Sequence, residues 1–127
     1  MGGKMSRDKG QRGERAVASI FRSHGYDARR GAQRLGAPGS PDVIGIPGIH
    51  AEVKYTEKLA VYDAVDQAKR DCGGGDMPVV FHRRNDHEWL AIMPLEPVFM
   101  RLYAEWEAGR ATAAPPDAER AEGDGRV

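Results

Sequence analysis

Cysteine is nearly missing from this 127-residue chain, where Cys72 stands alone. One thiol closes no disulfide and builds no cysteine-rich zinc site, which excludes a cross-linked scaffold and a zinc ribbon. Long apolar runs are missing too. None approaches the ~20 residues of a membrane-spanning helix, and nothing has the apolar core of a signal peptide. A cytoplasmic chain with no membrane partner is expected. Aromatic residues make up 7%, and no strand-like run gathers them into a platform for stacking single-stranded bases. Net charge is lacking as well, with 19 Lys+Arg against 19 Asp+Glu. The overall balance therefore argues neither for nor against a polyanionic partner.

The charge that is present is unevenly spread. Residues 1–34 hold nine Lys or Arg against Asp8, Glu14 and Asp27, a local balance of +6 that the remainder cancels. That end of the chain can attract phosphate while the whole stays near neutral. The apolar share of 40% is enough for one modest core at this length. The expected organisation is a flexible N-terminus at 1–6, one folded domain at 7–108 and a disordered tail at 109–127. That tail, "GRATAAPPDAERAEGDGRV", is rich in Ala, Pro, Gly and acids and has no periodicity.

Within 7–108, Val17, Ile20, Phe21 and His24 recur at helical spacing and are closed by Gly25, which predicts a first helix with a glycine cap. Glu14 lies on the same inward stripe, an unusual place for a carboxylate. "YDARR" reads as a short strand and "GAQRLGAPGS" as a loop. "DVIGI" and "IHAEVKY" read as two strands joined around Pro47-Gly48. Val61, Tyr62, Val65 and Ala68 mark a second helix ended by Gly73-Gly74-Gly75. "MPVVFHRR" and "EWLAIM" form a strand pair across Asn85-Asp86, and Leu95, Val98, Phe99, Leu102 and Trp106 mark a last helix, with Pro97 in its first turn. The order α-β-β-β-α-β-β-α predicts one mixed sheet with helices on its faces.

Chemistry concentrates in "GSPDVIGIPGIHAEVK". Strand alternation places His50, Glu52 and Lys54 on one face and Ile49, Ala51, Val53 and Tyr55 on the other. Whether Asp42 joins Glu52 depends on the turn. A two-residue Pro47-Gly48 loop sets Asp42 opposite Val53 and points it away; a three-residue loop or a bulge puts Asp42, Glu52 and Lys54 together. The type II turn favoured by Pro-Gly is disfavoured in two-residue hairpins, so the longer connection is expected. Two converging carboxylates suit a hard cation such as Mg²⁺, with Mn²⁺ as a substitute. Such a cation activates water and orients a phosphodiester, Lys54 positions or neutralises the reacting groups, and Glu14 is the natural third acid. His50, on the same face, is expected to be partly buried and bonded to backbone. His82 and His87 are read as surface residues.

These residues resemble the P-D-(D/E)-x-K nuclease superfamily, with Pro41-Asp42 as the first element and Glu52-Val53-Lys54 as the second. Within it the chain is most similar to the small Holliday-junction-resolvase-type endonucleases of archaeal and phage kinds, from "RGERAVASIF" through "GSPDV" and "EVK" to the later strands, roughly Arg7 to Met93. The resemblance implies an α/β restriction-endonuclease-like fold, a mixed sheet of about five strands flanked by helices. It implies metal ligands at Asp42, Glu52, Glu14 and the carbonyl of Val53, with Lys54 as the catalytic lysine. Gln67 and Ser40 are possible accessory residues. A homodimer follows, because resolution of a junction takes two symmetric cuts. The host cytoplasm is the location if the protein is phage-encoded.

Arg7, Lys9, Arg12, Arg30, Arg34 and Lys58 surround this site in sequence and are candidate phosphate contacts. Arg83 and Arg84, at a hairpin tip, are placed to reach a second DNA arm. The function expected is a Mg²⁺-dependent endonuclease cutting branched DNA such as four-way junctions, with no small-molecule substrate. The alternative is a DNA-binding module that keeps the fold but does no chemistry, in recombination or genome packaging. A purely structural domain is the third reading; it leaves Glu14, Asp42 and Lys54 without a reason to converge, and Asp42 and Glu52 on opposite faces would favour it.

Overall fold

The computed structural model describes residues 2–31 and 39–113. Helix α1 spans Gly2–Ser23 and leads to the short strand β1, Arg29–Arg30. Strands β2, Val43–Ile44, and β3, Ile49–Tyr55, precede helix α2, Val61–Asp71. Strands β4, Met77–Arg83, and β5, Leu90–Ile92, follow, and after a turn at Leu95–Phe99 helix α3 covers Met100–Ala113. The expected element order is the one observed.

The five strands lie side by side in sequence order. Neighbours are antiparallel except β3 and β4, which are parallel because α2 carries the chain back between them. On one face, Val17 and Ala18 of α1 pack with Val43, Ala51 and Val53, and Phe21, Phe81 and Trp89 join at the margin. On the other, Ala64 and Ala68 of α2 pack against Val80. Glu52 is level with Val80 across the β3–β4 ladder. Alternation therefore turns Ala51 and Val53 toward α1 and Glu52 toward the α2 side.

Two sequence readings shift at this level. Ile20 and His24 are exposed, because the buried stripe of α1 is centred on Gly13, Val17 and Ala18. Gly13 is what lets the helix sit so close: a Cβ there would stand 3.0 Å from Tyr55 Cβ and 3.3 Å from Trp89 and Val53 side-chain atoms. In α2 the buried positions are Ala64 and Ala68, while Tyr62 is exposed. The glycine cap of α1 is as expected. Gly25 has φ +97°, its N–H donates to Arg22 O, and Tyr26 N–H donates to Phe21 O. With the Phe21 and Tyr26 rings 6.2 Å apart, this is a Schellman ending with its apolar contact.

The β2–β3 connection is the longer one. Val43 pairs with Ala51, so Asp42 comes level with Glu52 rather than Val53. Gly45 (φ +90°) and Gly48 (φ +78°) bend the chain, and a Cβ on Gly45 would collide with the Asp27 carbonyl. The 1–6 and 109–127 boundaries also move: residues 2–6 belong to α1, and α3 runs on through Ala113. The rest of the expected tail, and Arg34, lie outside the described residues. The chain divides after Pro94 into two compact units. The first carries the sheet with α1 and α2. In the second, α3 buries none of its residues, and the rings of Phe99, Tyr103 and Trp106 follow one another along it at 6.1 and 5.8 Å.

Candidate active site

Where β2 meets the middle of β3, the register brings Asp42 and Glu52 within hydrogen-bonding reach of each other. The junction is tightly built. Asp42 N–H donates to Ala51 O at 2.8 Å, and Val53 N–H donates to Asp42 Oδ2 at 2.7 Å. Asp42 is thus fixed by backbone on both sides. Asp42 and Glu52 share a face, the opposite of the arrangement that would have favoured a purely structural domain.

Burial is the first cause of the unusual electrostatics here. It raises the Asp42 carboxyl, and the charge of Glu52 raises it further, to about 6, against the lowering pull of Val53 N–H and Lys54. Glu52 is 3% exposed. Its pKa is raised by burial, lowered by Lys54, and raised again by the nearby charges of Asp71 and Glu14. Carboxylates outnumber cations around this point. Lys54 Nζ donates to Gln67 Oε1 at 3.0 Å, so α2 holds the amine on the sheet face it covers. The sequence left Gln67 between an accessory and a solvated role; it is half-buried and bonded to the lysine.

Glu14 is inward-facing as expected, and burial raises its pKa, with the charge of Asp42 adding to the effect. Its partner is Arg30, whose Nε donates to Glu14 Oε1 at 2.8 Å. Arg30 therefore holds an acid here rather than standing free for phosphate. Among the described residues no group of three or more His, Cys, Asp or Glu is arranged to hold a metal ion. Glu14 thus does not complete a three-acid cluster with the pair. What remains is two carboxylates, both raised by burial, with oxygen donors only. That donor chemistry fits a hard divalent cation that keeps several waters.

His50 differs from the sequence reading. It is 2% exposed, and its Nε2 lies 3.1 Å from Glu52 Oε2 rather than on a backbone group. The i, i+2 spacing on one strand face was the signal for this contact. His82 is half-buried with Nε2 2.9 Å from Thr56 O, while His87 is on the surface as read. Lys9 sits 4.6 Å from the Tyr55 ring centroid and 3.6 Å from Glu57, and Arg83 approaches the same ring at 5.6 Å. This clasp on Tyr55, next to Lys54, had no sequence signal because it joins three elements. Arg7, Arg12, Lys58 and Arg84 are exposed, and Ser40 is half-buried ahead of Pro41.

A family model described as archaeal Holliday junction resolvase (Hjc) matches residues 5–70. That span is just over half of the chain and contains Glu14, Asp42, Glu52, Lys54 and Gln67. Among solved structures, Hjc from Archaeoglobus fulgidus, a Holliday junction resolvase from an archaeal hyperthermophile, aligns with a TM-score of 0.51 at 24% identity, covering 69% of this chain and 74% of that one. That likeness identifies the restriction-endonuclease-like fold. No curated protein gives a significant match. From the family match over residues 5–70, which runs from α1 to α2, the chain belongs to the archaeal Holliday junction resolvase family.

Proposed function

We propose that this protein is a metal-dependent endonuclease that hydrolyses DNA phosphodiesters at branched structures, four-way junctions above all. Mg²⁺ is the working cation and Mn²⁺ its substitute. The observation that carries the reading is the register that sets half-buried Asp42 beside buried Glu52, two residues before a lysine held by Gln67. Asp42, Glu52 and the Val53 carbonyl are the groups that would hold the cation. When bound, it supplies Lewis acidity and offsets the excess of carboxylate charge.

The chain's own groups do the remainder. Lys54 spends one of its three ammonium hydrogens on Gln67, which leaves two to donate to a phosphoryl oxygen as its charge grows in the transition state. Arg30 keeps Glu14 at the margin of the site, where that carboxylate orders water. The exposed basic side chains Arg7 and Arg12 on α1, and Lys58, take neighbouring phosphates, while Arg83 and Arg84 reach toward a second arm. No helix among the described residues is long and apolar enough to cross a membrane, and the cytoplasm is the proposed location. Two symmetric cuts call for two sites, so the reading includes a homodimer, for which the ring-lined face of α3 offers apolar surface.

The test uses purified protein, end-labelled four-way junction and matched linear duplex, with Mg²⁺ or EDTA. The expected result is metal-dependent nicking near the branch and little cutting of duplex. Salt-sensitive binding of the junction without any cleavage, with and without metal, would replace this reading with the non-catalytic DNA-binding module.

A further inference from the structure

His50 is the most buried polar side chain described, at 2% exposed, and it stands two residues before Glu52 on the same face of β3. Its neighbour on β4 at the same level is Pro78, which offers no polar side chain to compete for the ring. The polar contact of the imidazole is Nε2 to Glu52 Oε2, at 3.1 Å. When Glu52 is ionised its carboxylate only accepts, and the ring then carries its hydrogen on Nε2 and donates it.

We propose that His50 is a positioning residue: by pinning Glu52 Oε2, it turns the other oxygen of that carboxylate toward Asp42 and the cation the two would share. This deepens the proposed function and rests on it. Asp71 and Glu14 act on Glu52 with charge of its own sign, and Lys54 and a hydrogen bond with Asp42 act against them. A glutamate so placed, with three rotatable bonds, would swing away from its neighbours unless something fixed its head. The bond from His50 is charge-assisted and lies in a buried, rigid strand, which suits it to hold one orientation. Partners behind a ligating carboxylate are commonly worth ~10–100-fold in metal affinity.

Three full-length variants test this against wild type. His50→Phe keeps a ring and removes the donor. His50→Gln places an amide N–H at about the reach of Nε2. His50→Asn keeps an amide that stops short of Oε2, and it carries the test if the phenylalanine does not fold. Mn²⁺ binding is read by the loss of the free-ion electron paramagnetic resonance signal, kcat and KM are measured on four-way junction, and thermal melting reports folding. The expected result is Mn²⁺ affinity ~10–100-fold weaker in His50→Phe or His50→Asn, recovered to within a few-fold in His50→Gln. Junction KM stays unchanged, and the kcat lost at low Mg²⁺ returns at high Mg²⁺. Folded His50→Phe or His50→Asn that binds Mn²⁺ like wild type would overturn the proposal, as would equal losses in all three variants. Wild type that binds Mn²⁺ but never cuts would sink the proposed function and leave the positioning role standing on the Mn²⁺ result. Wild type that binds no Mn²⁺ would sink both.

Discussion

Asp42 carries its carboxyl at about 6 because burial and the Glu52 charge disfavour ionisation. In the unfolded chain the same group ionises near 3.8. The native state therefore binds this proton more tightly than the unfolded state, and stability from this group is greatest below about pH 4 and falls as pH rises toward 6. About two pKa units set an upper bound near ~3 kcal/mol. Urea unfolding of metal-free protein across this window, compared with Asp42→Asn, should show the wild type losing stability relative to the variant as pH rises; a relative gain would contradict the electrostatics. Lys54 and Gln67 make a second prediction. Lys54→Ala should lower kcat on junction by at least ~100-fold with junction affinity little changed. Gln67→Ala removes one hydrogen bond on the amine and should cost about 10-fold. The pair Asp42 and Glu52, and Lys54 with them, was legible because strand alternation and one turn decide it. Glu14 with Arg30 was not, since their meeting depends on where β1 lies beside α1, which no local spacing encodes.

Elements were legible in order and less so in orientation. Glycine and proline punctuate the chain plainly, so eight helices and strands could be placed in sequence. The rotation of α1 was misjudged because its contact stripe is built from Gly13 and Ala18, small residues that hydrophobic spacing overlooks, while Ile20 faces outward. Close approach rather than apolar bulk fixes this helix on β3. Gly13→Val should accordingly destabilise by ~1–3 kcal/mol through overpacking against Tyr55, Trp89 and Val53. Denaturant titration checks this, and a variant as stable as wild type would show that α1 is not seated by that contact. Gly45 matters for a different reason: its φ of +90° and the Asp27 carbonyl beside it both refuse a side chain. Gly45→Ala should destabilise by more than ~1 kcal/mol and, by disturbing the β2–β3 register, weaken Mn²⁺ binding at Asp42 and Glu52 as well.

At the scale of the molecule, the basic N-terminal segment is the helix that packs behind the site strand. Lys9 within it and Arg30 beyond it hold acids of the protein itself. The α3 unit presents Phe99, Tyr103 and Trp106 at its surface. If that face joins two copies, sedimentation velocity will give twice the 13.9 kDa chain mass, and Tyr103→Glu with Trp106→Glu will return it to the monomer. The central claim, paired metal-dependent cuts by the Asp42, Glu52 and Lys54 site, meets its most direct test on a supercoiled plasmid that extrudes a cruciform. Full-length linear plasmid is expected in Mg²⁺, and none in EDTA, with Lys54→Ala, or on a plasmid lacking the inverted repeat. A cruciform plasmid left intact, or nicked equally with and without the repeat, would contradict it.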